Sequence, residues 1–235
     1  MVKALLFAAV IASVSAPAQA CRLALALGLD ISSSVDPRED ALQRGGVAAA
    51  LQAPEVIAAF FKMDDPVALT VFEWSGRYNQ EVLLDWTLIT NPATLAQAAE
   101  AVRLSRRSHN EFATSMGEAL IFGARLFRNA PECLFKTIDL SGDGVNNEGP
   151  GPRIVYERSA FDDITVNGLA IANAADFQTA ERLTEFYQTE VLHGAGAFMV
   201  VADGFEDYAR AMRQKLEREV TPAVIGTLFD QGLSR

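Results

Sequence analysis

Three short oxygen-bearing side chains, Asp30, Ser32 and Ser34, follow the apolar run Leu23-Ala24-Leu25-Ala26-Leu27-Gly28-Leu29 at two-residue intervals. An extended backbone alternates its side chains, so all three face one way if the loop keeps the strand's path. One carboxylate and two hydroxyls then suit a hard cation. The same residues also suit a polar strand end that caps the next helix, because Asp and Ser are favoured N-cap residues. Two other polar clusters bear on the choice. Ala113-Thr114-Ser115-Met116-Gly117-Glu118-Ala119-Leu120 brings the Thr114 hydroxyl to a helix start, where alone it is a routine cap. Ser141-Gly142-Asp143-Gly144-Val145-Asn146-Asn147 sets Asp143 in a glycine-flanked loop, the glycines permitting a tight path.

The elements that must position these clusters alternate in type. Apolar runs rich in β-branched or aromatic residues predict strands at 22–30, 66–75, 80–87, 134–141, 164–172 and 196–202. Helical periodicity predicts helices at 37–62, 92–105, 115–129, 152–161, 176–191 and 204–220, with Asp36-Pro37 and Asn91-Pro92 as start signals. The fold class is α/β: a doubly wound, mostly parallel central sheet with helices on both faces. Runs 22–30 and 134–141 are almost continuously apolar, as expected of central strands covered on both sides. Run 80–87 follows 66–75 too closely for a helical crossover and is expected as an antiparallel partner. In such sheets ligands gather at the carboxyl ends of the strands, which is where Asp30 and Asp143 fall.

The chain has 235 residues, half of them apolar, which suits a single domain with a substantial core. Lys3, the apolar stretch 4–14 and Ala18-Gln19-Ala20 have the charged, apolar, small-residue order of a signal peptide over 1–20, predicting an exported, periplasmic or secreted domain over 21–235. No later segment has the roughly 20 uninterrupted apolar residues of a membrane helix. Ala18 stands where a lipoprotein signal usually has Leu, which disfavours a lipid anchor on Cys21. Without Lys3 the chain keeps 19 basic against 30 acidic residues, a net charge of −11 that argues against nucleic acid and anionic lipid as partners.

Taken together, DxSxS after the first strand, TxxGxAL at a helix start and SGDGxNN after a later strand resemble the von Willebrand factor A domain with its metal-ion-dependent adhesion site (MIDAS). The similarity spans roughly 22–220 and extends to a bacterial secreted branch in which Val71-Phe72-Glu73-Trp74-Ser75-Gly76 and Trp86-Thr87-Leu88-Ile89 recur. The resemblance implies a Rossmann-like fold and a Mg²⁺, Ca²⁺ or Mn²⁺ ion. Ser32 and Ser34 would bind it directly, Thr114 directly or through water, and Asp30 and Asp143 largely through water. Oxygen-only ligands disfavour Zn²⁺. It also implies a protein partner whose acidic group completes the coordination. The usual hydrophobic-Asp-Gly junction is here Ser141-Gly142-Asp143-Gly144, which raises Asp139 as a substitute. Asp143 is preferred, because Asp139 lies inside the strand and would point into packing.

Cys21 precedes Asp30 by nine residues and Cys133 precedes Asp143 by ten. If the two strands are parallel neighbours converging on one ion, counting back brings the cysteines together at the opposite edge. Strands lie about 4.8 Å apart and disulfides need Cα atoms roughly 4.4–6.8 Å apart. In an exported protein this predicts a Cys21–Cys133 disulfide, with two free thiols as the alternative.

Catalysis is not expected. No GxSxG elbow, GxGxxG or phosphate loop is present, and nothing orders Ser32 or Ser141 with His109 or His193 into a triad. The aspartyl-phosphatase scheme needs a second Asp at position 32, which is Ser32. Trp74 and Trp86 read as packing residues, and Arg103 with Arg106-Arg107 as a solvated helix end able to touch a partner. The function read from the sequence is an exported, divalent-cation-binding interaction domain. Its alternatives are a scaffold with an unoccupied metal site and a metal-dependent hydrolase.

Overall fold

The computed structural model describes residues 21–172 and 177–221; the expected signal segment 1–20 lies outside them. Strand β1 (Cys21–Asp30) has all ten residues buried, and β2 (Val67–Trp74) all eight. With β3 (Gln80–Ile89), β4 (Cys133–Gly142), β5 (Ile164–Ala172) and β6 (Met199–Asp203) they form one sheet in the order β3-β2-β1-β4-β5-β6. Only β3 is antiparallel, paired with β2 as its spacing predicts. The two strands read as central, β1 and β4, hold the middle of the sheet. β6 begins at Met199 rather than 196, the residues before it running as a turn through Gly194 and Gly196.

Both faces are covered. Leu23, Leu25, Leu27 and Leu29 belong to a core shared with α1 (Pro37–Leu51), α2 (Pro54–Phe60), α3 (Pro92–Leu104) and α7 (Tyr208–Val220). Ala26, Phe72, Trp74 and Leu140 belong to a second core with α4 (Met116–Leu126), α5 (Pro152–Tyr156), α6 (Phe177–Phe186) and the π-helical turn Tyr187–Val191. Each fully buried leucine of β1 contributes roughly 1.5–3 kcal/mol, and neither face needs a polar residue, which is why the strand does not alternate.

The expected helix 37–62 is two helices. Pro54 has no N–H to donate and holds Ala53 extended at φ −67°, ψ 136°, so the chain breaks before resuming. Asp36 caps α1 as read, accepting from Arg38 N and Glu39 N while Glu39 returns a bond to Asp36 N. The expected helix 204–220 is a 3₁₀ turn, Phe205–Asp207, followed by α7.

Two buried ionic clusters join the layers. Arg44 of α1 lies 2.9 Å from Asp40 and 2.5 Å from Glu73 of β2. Lys215 of α7 lies 2.7 Å from Asp139 of β4 and 3.1 Å from Glu219, all three almost fully buried. Asn167 of β5 donates to Glu219 at 2.7 Å. At the amino edge of the sheet, Cys21 and Cys133 sit opposite one another and are joined by a disulfide, with Cα atoms 4.4 Å apart.

Candidate metal centre

Strand order reverses between β1 and β4, the point at whose carboxyl edge open α/β sheets bind ligands. Asp30 ends β1 and is fully buried. Its Oδ1 accepts from the Ser32 N–H at 2.7 Å, while its Oδ2 has no hydrogen-bond partner. Ser32 is buried and its hydroxyl lies 3.1 Å from that of Ser34. Ser34 in turn donates to Asp143 Oδ1 at 2.8 Å, joining the DxSxS loop to the loop after β4. Gly142 permits this approach: a Cβ there would stand 2.7 Å from Asp30 Oδ2 and 3.2 Å from the Tyr187 hydroxyl.

Thr114 reaches the same edge from the loop before α4. It is 4 % exposed, and its hydroxyl lies beside Gly144, 3.5 Å from where a Cβ would be. The loop after β4 holds it in place. Asn147 Oδ1 accepts from Thr114 N at 2.9 Å, and the N–H groups of Asn147 and Glu148 donate to the Thr114 carbonyl. Asn146 Oδ1 accepts from Met116 N at 2.8 Å and Gly117 N at 3.3 Å, capping α4 from a distant segment while Ser115 makes no cap bond of its own. Asp30, Ser32, Ser34, Thr114 and Asp143 therefore stand on three connected loops. Asp139 is elsewhere, turned toward Lys215 beneath α7.

The electrostatics are those of a site short of positive charge. Burial and the nearby Asp143 push the Asp30 carboxyl up to about 7, and burial raises Asp143 as well. A cation would relieve both and give Asp30 Oδ2 the partner it lacks. Among the described residues no group of three or more His, Cys, Asp or Glu side chains could hold a metal. The donor set here is two carboxylates and three hydroxyls, all hard oxygens.

Sequence reasoning missed three supports. Arg107, read as part of a solvated helix end, turns its guanidinium onto the DxSxS loop, donating to the carbonyls of Val35 at 2.6 Å, Ile31 at 2.8 Å and Ser32 at 3.0 Å. Gln43 of α1 donates to the Asp30 carbonyl at 2.8 Å and accepts from Ser141 Oγ, which also receives the Tyr208 hydroxyl. The π-helical turn sets the buried Tyr187 hydroxyl 3.4 Å from the Gly142 carbonyl. The sequence carries no signal for Arg107 beyond its nearness to Thr114, nor for Gln43, which shares the buried face of α1 with Asp40 and Arg44. His193 stacks on Tyr156 with ring centroids 4.3 Å apart and reaches the Phe161 carbonyl at 3.2 Å; His109 meets Phe112 edge-on. Trp86 donates to the Leu126 carbonyl, and Trp74 is fully buried, both as packing residues.

The fold is that of von Willebrand A domains. A von Willebrand factor type A protein from Catenulispora acidiphila is similar, at 18 % identity and TM-score 0.54 over 85 % of this chain and 43 % of that one. So is proximal thread matrix protein 1 from the mussel byssus with a zinc-occupied MIDAS motif, at 15 % identity and TM-score 0.58 over 86 % and 46 %. The pilus adhesin SpaC from Lactobacillus rhamnosus GG, in its open conformation, matches at 14 % identity and TM-score 0.60 over 85 % and 30 %. The chain spans less than half the length of each. Within that fold the chain belongs to the family described as "Protein of unknown function (DUF1194)", which matches residues 20–224. No curated protein matches it by sequence. No described helix is long and apolar enough to cross a membrane.

Proposed function

We propose that this protein is an exported interaction domain that holds a divalent cation between the DxSxS, Thr114 and Asp143 loops and uses it to engage an acidic group on a protein partner. The observation that carries the reading is the buried Asp30 Oδ2 without a partner, at the carboxyl edge where Ser34 and Asp143 already meet. The hydroxyls of Ser32, Ser34 and Thr114 serve as direct ligands. Asp30 and Asp143 hold ordered water around the ion, which keeps its Lewis acidity for an incoming carboxylate. Adhesin and byssal-matrix neighbours with the same fold support a role in protein contact. The oxygen donors favour Mg²⁺, Ca²⁺ or Mn²⁺, while the zinc in the byssal neighbour makes Zn²⁺ a necessary arm of the test.

Calorimetric titration of Mg²⁺, Ca²⁺, Mn²⁺ and Zn²⁺ into wild-type protein and D30A tests the ion. Saturable one-site binding is expected in the wild type and not in D30A, and absence of binding to the wild type rejects the reading. Capture from an envelope extract with and without chelator then tests the bridge, since a partner retained in chelator is not held through the ion.

A further inference from the structure

We propose that Arg107 is a positioning residue that preforms the cation loop, holding Ser32 and Ser34 in place before any ion arrives. The inference rests on the divalent-cation reading and assigns a role to a side chain outside the expected ligand set. After Asp30 the chain leaves the sheet just where the loop is largely buried, and buried carbonyls need donors: that of Ser32 takes the Val35 N–H at 3.0 Å, while those of Ile31 and Val35 take side-chain donors. Arg107 supplies them from one planar group: Nη1 to Val35 O at 2.6 Å, Nη2 to Ile31 O at 2.8 Å and to Ser32 O at 3.0 Å. Its Nε donates to the His109 carbonyl at 2.5 Å, which fixes the fork. Ser33 N–H adds a bond to Phe112 O at 2.8 Å, so the loop carrying Thr114 grips the loop carrying the serines at two points.

The fork geometry is specific to arginine, because an ammonium on a flexible stem cannot present fixed donors to three diverging carbonyls. Residues that orient metal ligands from outside the coordination sphere typically change affinity 10–100-fold when removed. Arg106, its exposed neighbour, carries the same charge and serves as the control.

The test compares wild type, R107Q, R107K and R106Q in the full mature chain. Mn²⁺ affinity is read by calorimetry, and amide exchange at Ser33 and Val35 is read in chelator. R107Q should bind Mn²⁺ about 10–100-fold more weakly and exchange faster at both amides, R107K should fall between, and R106Q should match wild type. Unchanged exchange and affinity in R107Q overturn the proposal. So does an R106Q effect as large as that of R107Q, which would make charge rather than geometry the cause. If R107Q does not fold, R107K carries the test, and wild-type affinity in R107K overturns it. Wild-type protein that takes no Mn²⁺ overturns the cation reading instead, while the exchange measurement still reports on Arg107, so the two failures are distinguishable.

Discussion

Asp30 pays the largest electrostatic penalty at the carboxyl edge, and its titration gives the molecule a pH dependence of predictable sign. Its carboxyl moves from an ordinary 3.8 up to about 7, because burial and Asp143 both oppose ionisation. Between those values the unfolded chain has lost the proton and the folded chain still holds it, so metal-free stability falls as pH rises through this window. Asp139, raised to about 6 by burial, acts in the same direction. Denaturant midpoints measured in chelator should decline from about pH 4 to pH 7, and D30N, which removes the buried charge, should flatten the decline and gain ~1–3 kcal/mol above pH 7. Added ion should reverse the trend, because binding needs the carboxylate ionised. Asp30, Ser32, Ser34, Thr114 and Asp143 become legible as one candidate set only through the resemblance that the three motifs carry together, since each motif alone also reads as a cap or a turn. Arg107 is not legible. Spacing places an arginine on a loop but does not fix where a long side chain reaches, and a charge near a helix end ordinarily faces water.

At the scale of elements, the loop after β4 does two jobs. Asp143 faces Ser34, while Asn146 and Asn147 bind the start of α4 and the Thr114 backbone. Replacing Asn146 with Ala removes the cap from Met116 N and Gly117 N and should cost ~0.5–2 kcal/mol, measurable by urea denaturation. It should also weaken divalent-ion binding, because the helix start that directly follows Thr114 loses its cap. The start signals Asp36-Pro37 and Asn91-Pro92 are legible in the sequence because each cap lies within its own segment. The cap of α4 was illegible for the opposite reason: its donor groups and its acceptor lie about thirty residues apart. The break at Pro54 was written in the sequence but overridden by apolar periodicity continuing on either side of it. The Lys215–Asp139–Glu219 cluster shows a related limit, since only the i,i+4 pair on α7 is local and the contact with β4 depends on how the layers meet.

For the whole molecule, the parallel register of β1 and β4 made the disulfide predictable. The offsets of the two cysteines from Asp30 and Asp143 bring them opposite each other once those strands are neighbours. The bridge links positions 112 residues apart, and chain-entropy arguments put a loop of about 100 residues near 4.7 kcal/mol, with about 2–4 kcal/mol typical in practice. The C21S/C133S variant should lose ~2–4 kcal/mol in guanidinium unfolding while keeping its ion affinity, because the bridge is at the far edge from Asp30. The same arrangement has a mechanical meaning. A pull between Cys21 and the loop that leaves Asp30 runs the length of β1 and strains its hydrogen bonds with both neighbours together, in shear, rather than peeling them singly. The sulfur link passes part of that tension directly into β4, so the two innermost strands share a load that would otherwise fall on one.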